Sequence, residues 1–209
     1  MSRRETTKQE TRQLILDAAR KLFQEKGPEL CTMRDIASEA GVSPASVVVH
    51  FKSKTALLEV ALYEDIERNI ARAVTTMPRD ADLLARLMHV AQVMYSFYDG
   101  NRELYRVLIR DTAFEAEGEN PYLTRQLEGY LTFFGGMIEQ EKSRGVVRPK
   151  VDSRIAAASF FSLYFSVLME FLRTSNMTVN MALERLALSA NQHLTGILTQ
   201  KEKNDGRCP

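Results

Sequence analysis

Residues 41–54 read GVSPASVVVHFKSK, and no other stretch limits the fold as strongly. Three consecutive valines favour a strand. Ser43 followed by Pro44 favours the opposite, because serine is a good helix N-cap and proline at the first helical position gives up no hydrogen bond. A helix starting at Pro44 is therefore expected, although its β-branched residues each cost up to about 0.7 kcal/mol against alanine. So short a helix cannot stand alone in water. Packing must hold it, and Val47 and Phe51, four apart, are the natural anchors on one face. No hairpin partner for a strand lies nearby.

The flanking sequence is helical as well. From Thr11 to Lys26, Leu14, Ile15, Ala18, Ala19, Leu22 and Phe23 recur at spacings of three and four, and Gly27 with Pro28 ends the run. TMRDIASEAG follows, with Thr32 placed to cap a helix, Asp35 at its third position, Ile36, Ala37 and Ala40 on its inner side, and Gly41 suited to its end. Beyond Lys54 the sequence predicts a long helix to about Val74, then helices over about 81–98, 102–114, 122–144, 153–174 and 179–199. A loop is expected at 115–121 and a loose tail at the end. Only 6 prolines and 10 glycines in 209 residues leave room for such lengths.

Charge and cysteines exclude several classes of function. The 28 basic and 27 acidic residues nearly cancel, yet residues 1–54 hold 10 Lys or Arg against 7 Asp or Glu. Any contact with a polyanion is thus expected at the N-terminal end. Cys31 and Cys208 lie far apart, and His50, His89 and His193 have no ligand-spaced neighbours, so no metal site is expected. No glycine-rich phosphate loop or nucleophile elbow occurs, and Glu115 and Glu117 have no evident partner base; the chain reads as no enzyme and as needing no cofactor. MSRRETTKQETR has no apolar segment behind it, which points to the cytoplasm. The uncharged run 155–169 falls short of the roughly 20 residues a spanning helix needs, so no membrane association is expected.

Two helices joined at Gly41, the second short and capped by Ser43, form the pattern of a helix-turn-helix, whose second helix enters the DNA major groove. ILDAARKLFQEKG, TMRDIASEAGVS and HFKSKTALL, in that order and spacing, resemble the TetR family of bacterial transcriptional regulators over about residues 11–62. The resemblance implies an all-α protein of about nine helices in three parts: a DNA-binding domain at 1–54, a helical ligand-binding and dimerisation domain at 55–200, and a flexible tail at 201–209. It also implies a homodimer that binds a palindromic double-stranded DNA operator, and a small-molecule effector that releases it, repression being the family's habit.

Carried over by position, the resemblance makes Thr32 and Arg34 phosphate or groove-edge contacts. Ser43, Pro44, Ala45 and Ser46 form the leading end of the recognition helix, and His50 and Lys54 meet the phosphate backbone. Val48 departs from a frequent phosphate-binding tyrosine and Val49 from a larger polar residue; exposed, they can touch thymine methyls, and otherwise they pack between helices. Ser159, Ser162 and Ser166 make a small-residue stripe, and with Leu183, Leu186, Ala187, Ala190 and Leu194 they suit the four-helix dimer interface that the family builds from its last two helices. Met88, Tyr95, Tyr98, Tyr105, Tyr130, Phe134, Met137, Phe161, Tyr164 and Phe165 supply surface for an apolar pocket with phenolic hydrogen-bond partners. With no cluster of buried charge evident, a mostly apolar or aromatic ligand is expected. The alternative reading is a helical protein-interaction module without DNA binding.

Overall fold

A computed structural model describes residues 3–112 and 121–197. These residues form nine α-helices: α1 (Arg3–Lys26), α2 (Met33–Glu39), α3 (Pro44–His50), α4 (Lys54–Thr75), α5 (Leu83–Asp99), α6 (Arg102–Thr112), α7 (Pro121–Ser143), α8 (Ser153–Arg173) and α9 (Val179–Thr195). The all-α architecture agrees with the sequence reading. Helix α1 starts eight residues earlier than the apolar periodicity indicates, because its first turns are polar and exposed and carry no burial pattern. Of the loop expected at 115–121, residues 115–120, Glu115 and Glu117 among them, lie outside the described residues, as do the tail at 201–209 and Cys208, and Pro121 opens α7 instead.

In the N-terminal unit α2 packs on both α1 and α3, and α1 packs on α4. Helix α1 ends at Gly27, which adopts φ +76. Helix α2 opens with the capping box foreseen at Thr32 and Asp35: the Thr32 hydroxyl accepts from the Asp35 amide at 3.1 Å, and the Asp35 carboxylate accepts from the Thr32 amide at 2.8 Å. It closes on Gly41 at φ +67, with the Val42 amide donating to Ala37 and the Gly41 amide to Ser38, which satisfies the carbonyls of the last turn. Helix α3 starts at Pro44 with Ser43 accepting from the Ser46 amide, and Val47 and Phe51 are both buried. The valine run is helical because its caps and its two anchors outweigh the intrinsic preference of valine.

Helix α4 belongs to both parts of the molecule. Its first half packs on α1, where Arg20 donates to the Ala61 carbonyl at 2.7 Å and pairs with Glu64. Its second half packs on α5 and α6. The body stacks α7 on α8, α8 on α9 and α9 on α5, with a buried ion pair, Arg86 to Glu141 at 2.5 Å, locking α5 to α7. Helix α8 is long and apolar enough to cross a membrane, but it is a central packing element of this bundle.

The structure departs from one expectation for α9. Leu186, Ala190 and Leu194, read as dimer surface, are buried within the chain, because this face of α9 is covered by α5 and α8. Leu183 and Ala187 are half-buried, as is Ser159 on α8, whereas Ser162 and Ser166 are exposed.

Candidate functional site

The local sequence of α3 divides its side chains sharply. Val47 is fully buried, while Val48 is 55% and Val49 77% exposed, so the packing alternative for these two valines is overturned. Pro44 and Ala45 are exposed and Ser46 half-buried. The outer face of α3 is therefore small and apolar, a shape that approaches base edges and thymine methyls closely and supplies no phosphate donor.

Cations stand around that face rather than on it. Arg34 of α2 is exposed and forms no ion pair among the described residues. His50 closes α3 half-buried, and burial, followed by the positive charges of Lys8 and Arg12, holds its imidazole below the ordinary value. The Arg12 guanidinium lies 4.9 Å from the centre of the Phe51 ring. Lys8 and Arg12 are thus part of the basic rim, and the sequence reading missed them. Lys54 is turned inward: its ammonium donates to the Pro28 carbonyl at 2.7 Å, clamping the first residue of α4 to the loop between α1 and α2. Thr32 is exposed, its hydroxyl occupied by Asp35.

Helix α4 leads from this face into the second site, its wall residues starting at Glu59, about 8 Å along the helix from Lys54. A cavity of about 440 Å³ lies between α4, α5, α6, α7 and α8. Of the residues foreseen, Tyr98, Tyr105, Tyr130, Phe134, Phe161, Tyr164 and Phe165 line it. Met88, Tyr95 and Met137 do not: Tyr95 is fully buried behind the wall, donating to the Tyr164 carbonyl at 2.9 Å and stacking on the Tyr164 ring at 5.1 Å. Burial pushes the Tyr98 phenol up to about 12 and likewise raises those of Tyr105, Tyr130 and Tyr164 well above the ordinary phenol range, so all four stay neutral.

The cavity also holds polar groups that the sequence reading did not name. Glu59, only 8% exposed, and Glu67 line the α4 wall, and Arg125 and Gln126 line the α7 wall. A glutamate among apolar neighbours looks like a helix's solvated side until the fold shows what covers it. Helix α6 contributes Tyr105, Leu108, Ile109 and Thr112 to the cavity, while its Arg110 reaches out to Glu29, in the loop before α2, at 2.7 Å. Two elements, α4 and α6, therefore touch both the cavity and the N-terminal helical unit.

Residues 15–61 match the family model for bacterial regulatory proteins of the tetR family. The nucleoid occlusion factor SlmA of Haemophilus influenzae is 28% identical over 172 residues, 81% of this chain and 78% of that protein. The transcriptional regulator UidR of Escherichia coli is 25% identical over 175 residues, 81% and 86% of the two chains. Among solved structures, Thermus thermophilus FadR with lauroyl-CoA superposes with a TM-score of 0.73 at 17% identity over 93% of this chain and 99% of that one. A chain from Saccharomonospora viridis in complex with choline superposes at 0.65 and 19% identity over 92% and 100%. These last two share the fold.

Proposed function

We propose that this TetR-family helix-turn-helix regulator binds a two-fold symmetric duplex as a homodimer and leaves it when a small molecule fills the cavity, so acting as a repressor. The observation that carries the reading is the double attachment of α4. From Glu59 to Val74 it forms a wall of the cavity, and its first residue is clamped through Lys54 to the loop that precedes α2. A ligand that pushes on Glu59, Tyr63 or Ile66 shifts a helix whose N-terminus carries the recognition unit, and the Arg110–Glu29 pair passes the movement of α6 to the same loop. Small shifts of this kind select between arrangements of two recognition helices, of which only one fits adjacent major grooves about 34–36 Å apart.

On the DNA side, Lys8, Arg12, Arg34 and His50 hold phosphate, while Ala45, Val48 and Val49 face the groove. The dimer face is the stripe of exposed Ile155, Ser162, Ser166 and Met169 with half-buried Ser159 on α8, together with exposed Met181 and Leu188 on α9. Two proteins of this fold hold ligands as unlike as lauroyl-CoA and choline, so a small-molecule role suits the cavity while its lining must decide the chemical class. Selection of bound duplexes from a random pool tests the reading. Enrichment of an inverted repeat, bound more weakly as salt rises, is expected. No enrichment would contradict it and favour the protein-interaction module.

A further inference from the structure

We infer that this protein selects its duplex through the 5-methyl groups of thymine, with Ala45 and Val49 as the specificity-determining residues. The inference rests on the proposed binding of an inverted repeat and names the base chemistry that each half of the repeat must carry. From Gly41 to Phe51 the chain has no Arg, Lys, Asn, Gln, Asp or Glu. Those are the side chains that pair with guanine, adenine or cytosine edges in the major groove, so α3 brings none of the strong polar readers with it. Its polar groups are Ser46 and His50, with Ser43 as its cap. The Ser43 hydroxyl accepts from the Ser46 amide at 3.1 Å, Ser46 is half-buried, and His50 closes the helix beside Lys8 and Arg12. Serine hydroxyls discriminate weakly, because they pair with donors and acceptors alike.

What α3 does present is hydrocarbon. Its packed side is set by Val47 and Phe51, both buried. At about 100° per residue Val49 falls opposite that side, with Ala45 four residues before it on the same face, and both are exposed. Val48 flanks this face. A β-branched residue lowers helix propensity, and Val49 gains no burial within the chain in return. A surface that covers it supplies that burial, and among the base pairs only those with thymine place a methyl group in the major groove. Ala45 and Val49 lie about 6 Å apart along α3, which corresponds to about two base steps of roughly 3.4 Å. About two neighbouring thymine methyls per half-site are therefore expected. Arg34 on α2 and Lys8 and Arg12 on α1 attract phosphate whatever the sequence, which leaves discrimination to the methyl contacts.

The test takes the inverted-repeat duplex selected from the random pool and replaces dT by dU, one symmetric pair of positions at a time. A dU keeps the hydrogen-bonding groups of dT and lacks only the 5-methyl group, so base pairing is preserved. Affinity for the full chain is read by anisotropy at one fixed salt concentration. Loss of a covered methyl is expected to weaken binding about fourfold in one half-site and about fifteenfold in both, at about two positions per half-site, with every other dT within about twofold. Val49→Ala changes an exposed side chain to a better helix former, so the urea midpoint should hold or rise. In that variant the dU penalty at one of the sensitive positions should fall from about fifteenfold to under about fourfold. Half-sites without thymine, dU tolerated within about twofold at every position, or a dU penalty unchanged in Val49→Ala would overturn the inference while the inverted repeat stands. Where Val49→Ala fails to fold, the dU scan on the unaltered chain decides. Failure to enrich any inverted repeat contradicts the proposed function and this inference together.

Discussion

Val47, Val48 and Val49 are chemically identical and have three different surroundings. Val47→Ala removes a fully buried side chain and is expected to cost about 2 kcal/mol, read as a lower urea midpoint. Val48→Tyr adds a phenol at an exposed position, so it should leave the urea midpoint unchanged and strengthen duplex binding whatever the sequence, as measured by anisotropy; a lower midpoint with no gain in affinity would contradict the placement. The start of the helix and its anchors were legible because Ser43, Pro44, Val47 and Phe51 act within one turn or two. The outward turn of Val48 and Val49 was not, because seven helical residues do not define which partly apolar face is covered. Lys8 and Arg12 escaped for another reason: α1 brings them beside His50, some forty residues on in the chain.

His50 makes a pH prediction at the same scale. Its folded pKa lies below the unfolded value near 6.5, through burial first and then Lys8 and Arg12. The unfolded chain therefore binds the proton more readily, and the contribution to stability, intact above about pH 6.5, is lost as pH falls through the folded value. On the proposed reading a duplex phosphate lies beside these three groups and favours the imidazolium, so DNA binding is expected to take up a proton. Duplex affinity should rise from pH 7.5 to 6 in the native chain, and His50→Gln should flatten that rise.

At the scale of elements, α4 and α6 are the couplers in the proposed function, and their roles separate by experiment. The Arg110–Glu29 pair is solvent-exposed, so its worth to stability is small. Arg110→Ala should leave the thermal midpoint and the affinity for free duplex nearly unchanged while raising the ligand concentration needed for release severalfold. The long helices themselves were readable from apolar periodicity. What periodicity cannot state is who covers a face: the stripe Leu186, Ala190 and Leu194 has the same spacing whether its partner is α5 and α8 or a second chain. For the same reason Glu59 on α4 gave no warning of a charged cavity wall, since one glutamate in an amphipathic helix reads as its wet side.

At the scale of the whole molecule, a recognition helix of seven residues is short for useful affinity, and in the proposed dimer two of them supply it by effective concentration. Leu188 is 76% exposed on α9 and belongs to the proposed dimer face. Leu188→Glu should give a folded monomer by sedimentation with duplex affinity at least about a hundredfold lower. Ala190→Glu is a poorer probe, because it places a charge inside the chain's own core.

The central claim is tested most directly by titrating the selected inverted-repeat duplex with the full chain, following stoichiometry by sedimentation and affinity by anisotropy over a range of salt. Two chains per duplex are expected, with affinity falling steeply as salt rises and dropping by at least about a thousandfold for a scrambled duplex. One chain per duplex, or equal affinity for the scrambled sequence, would contradict the account.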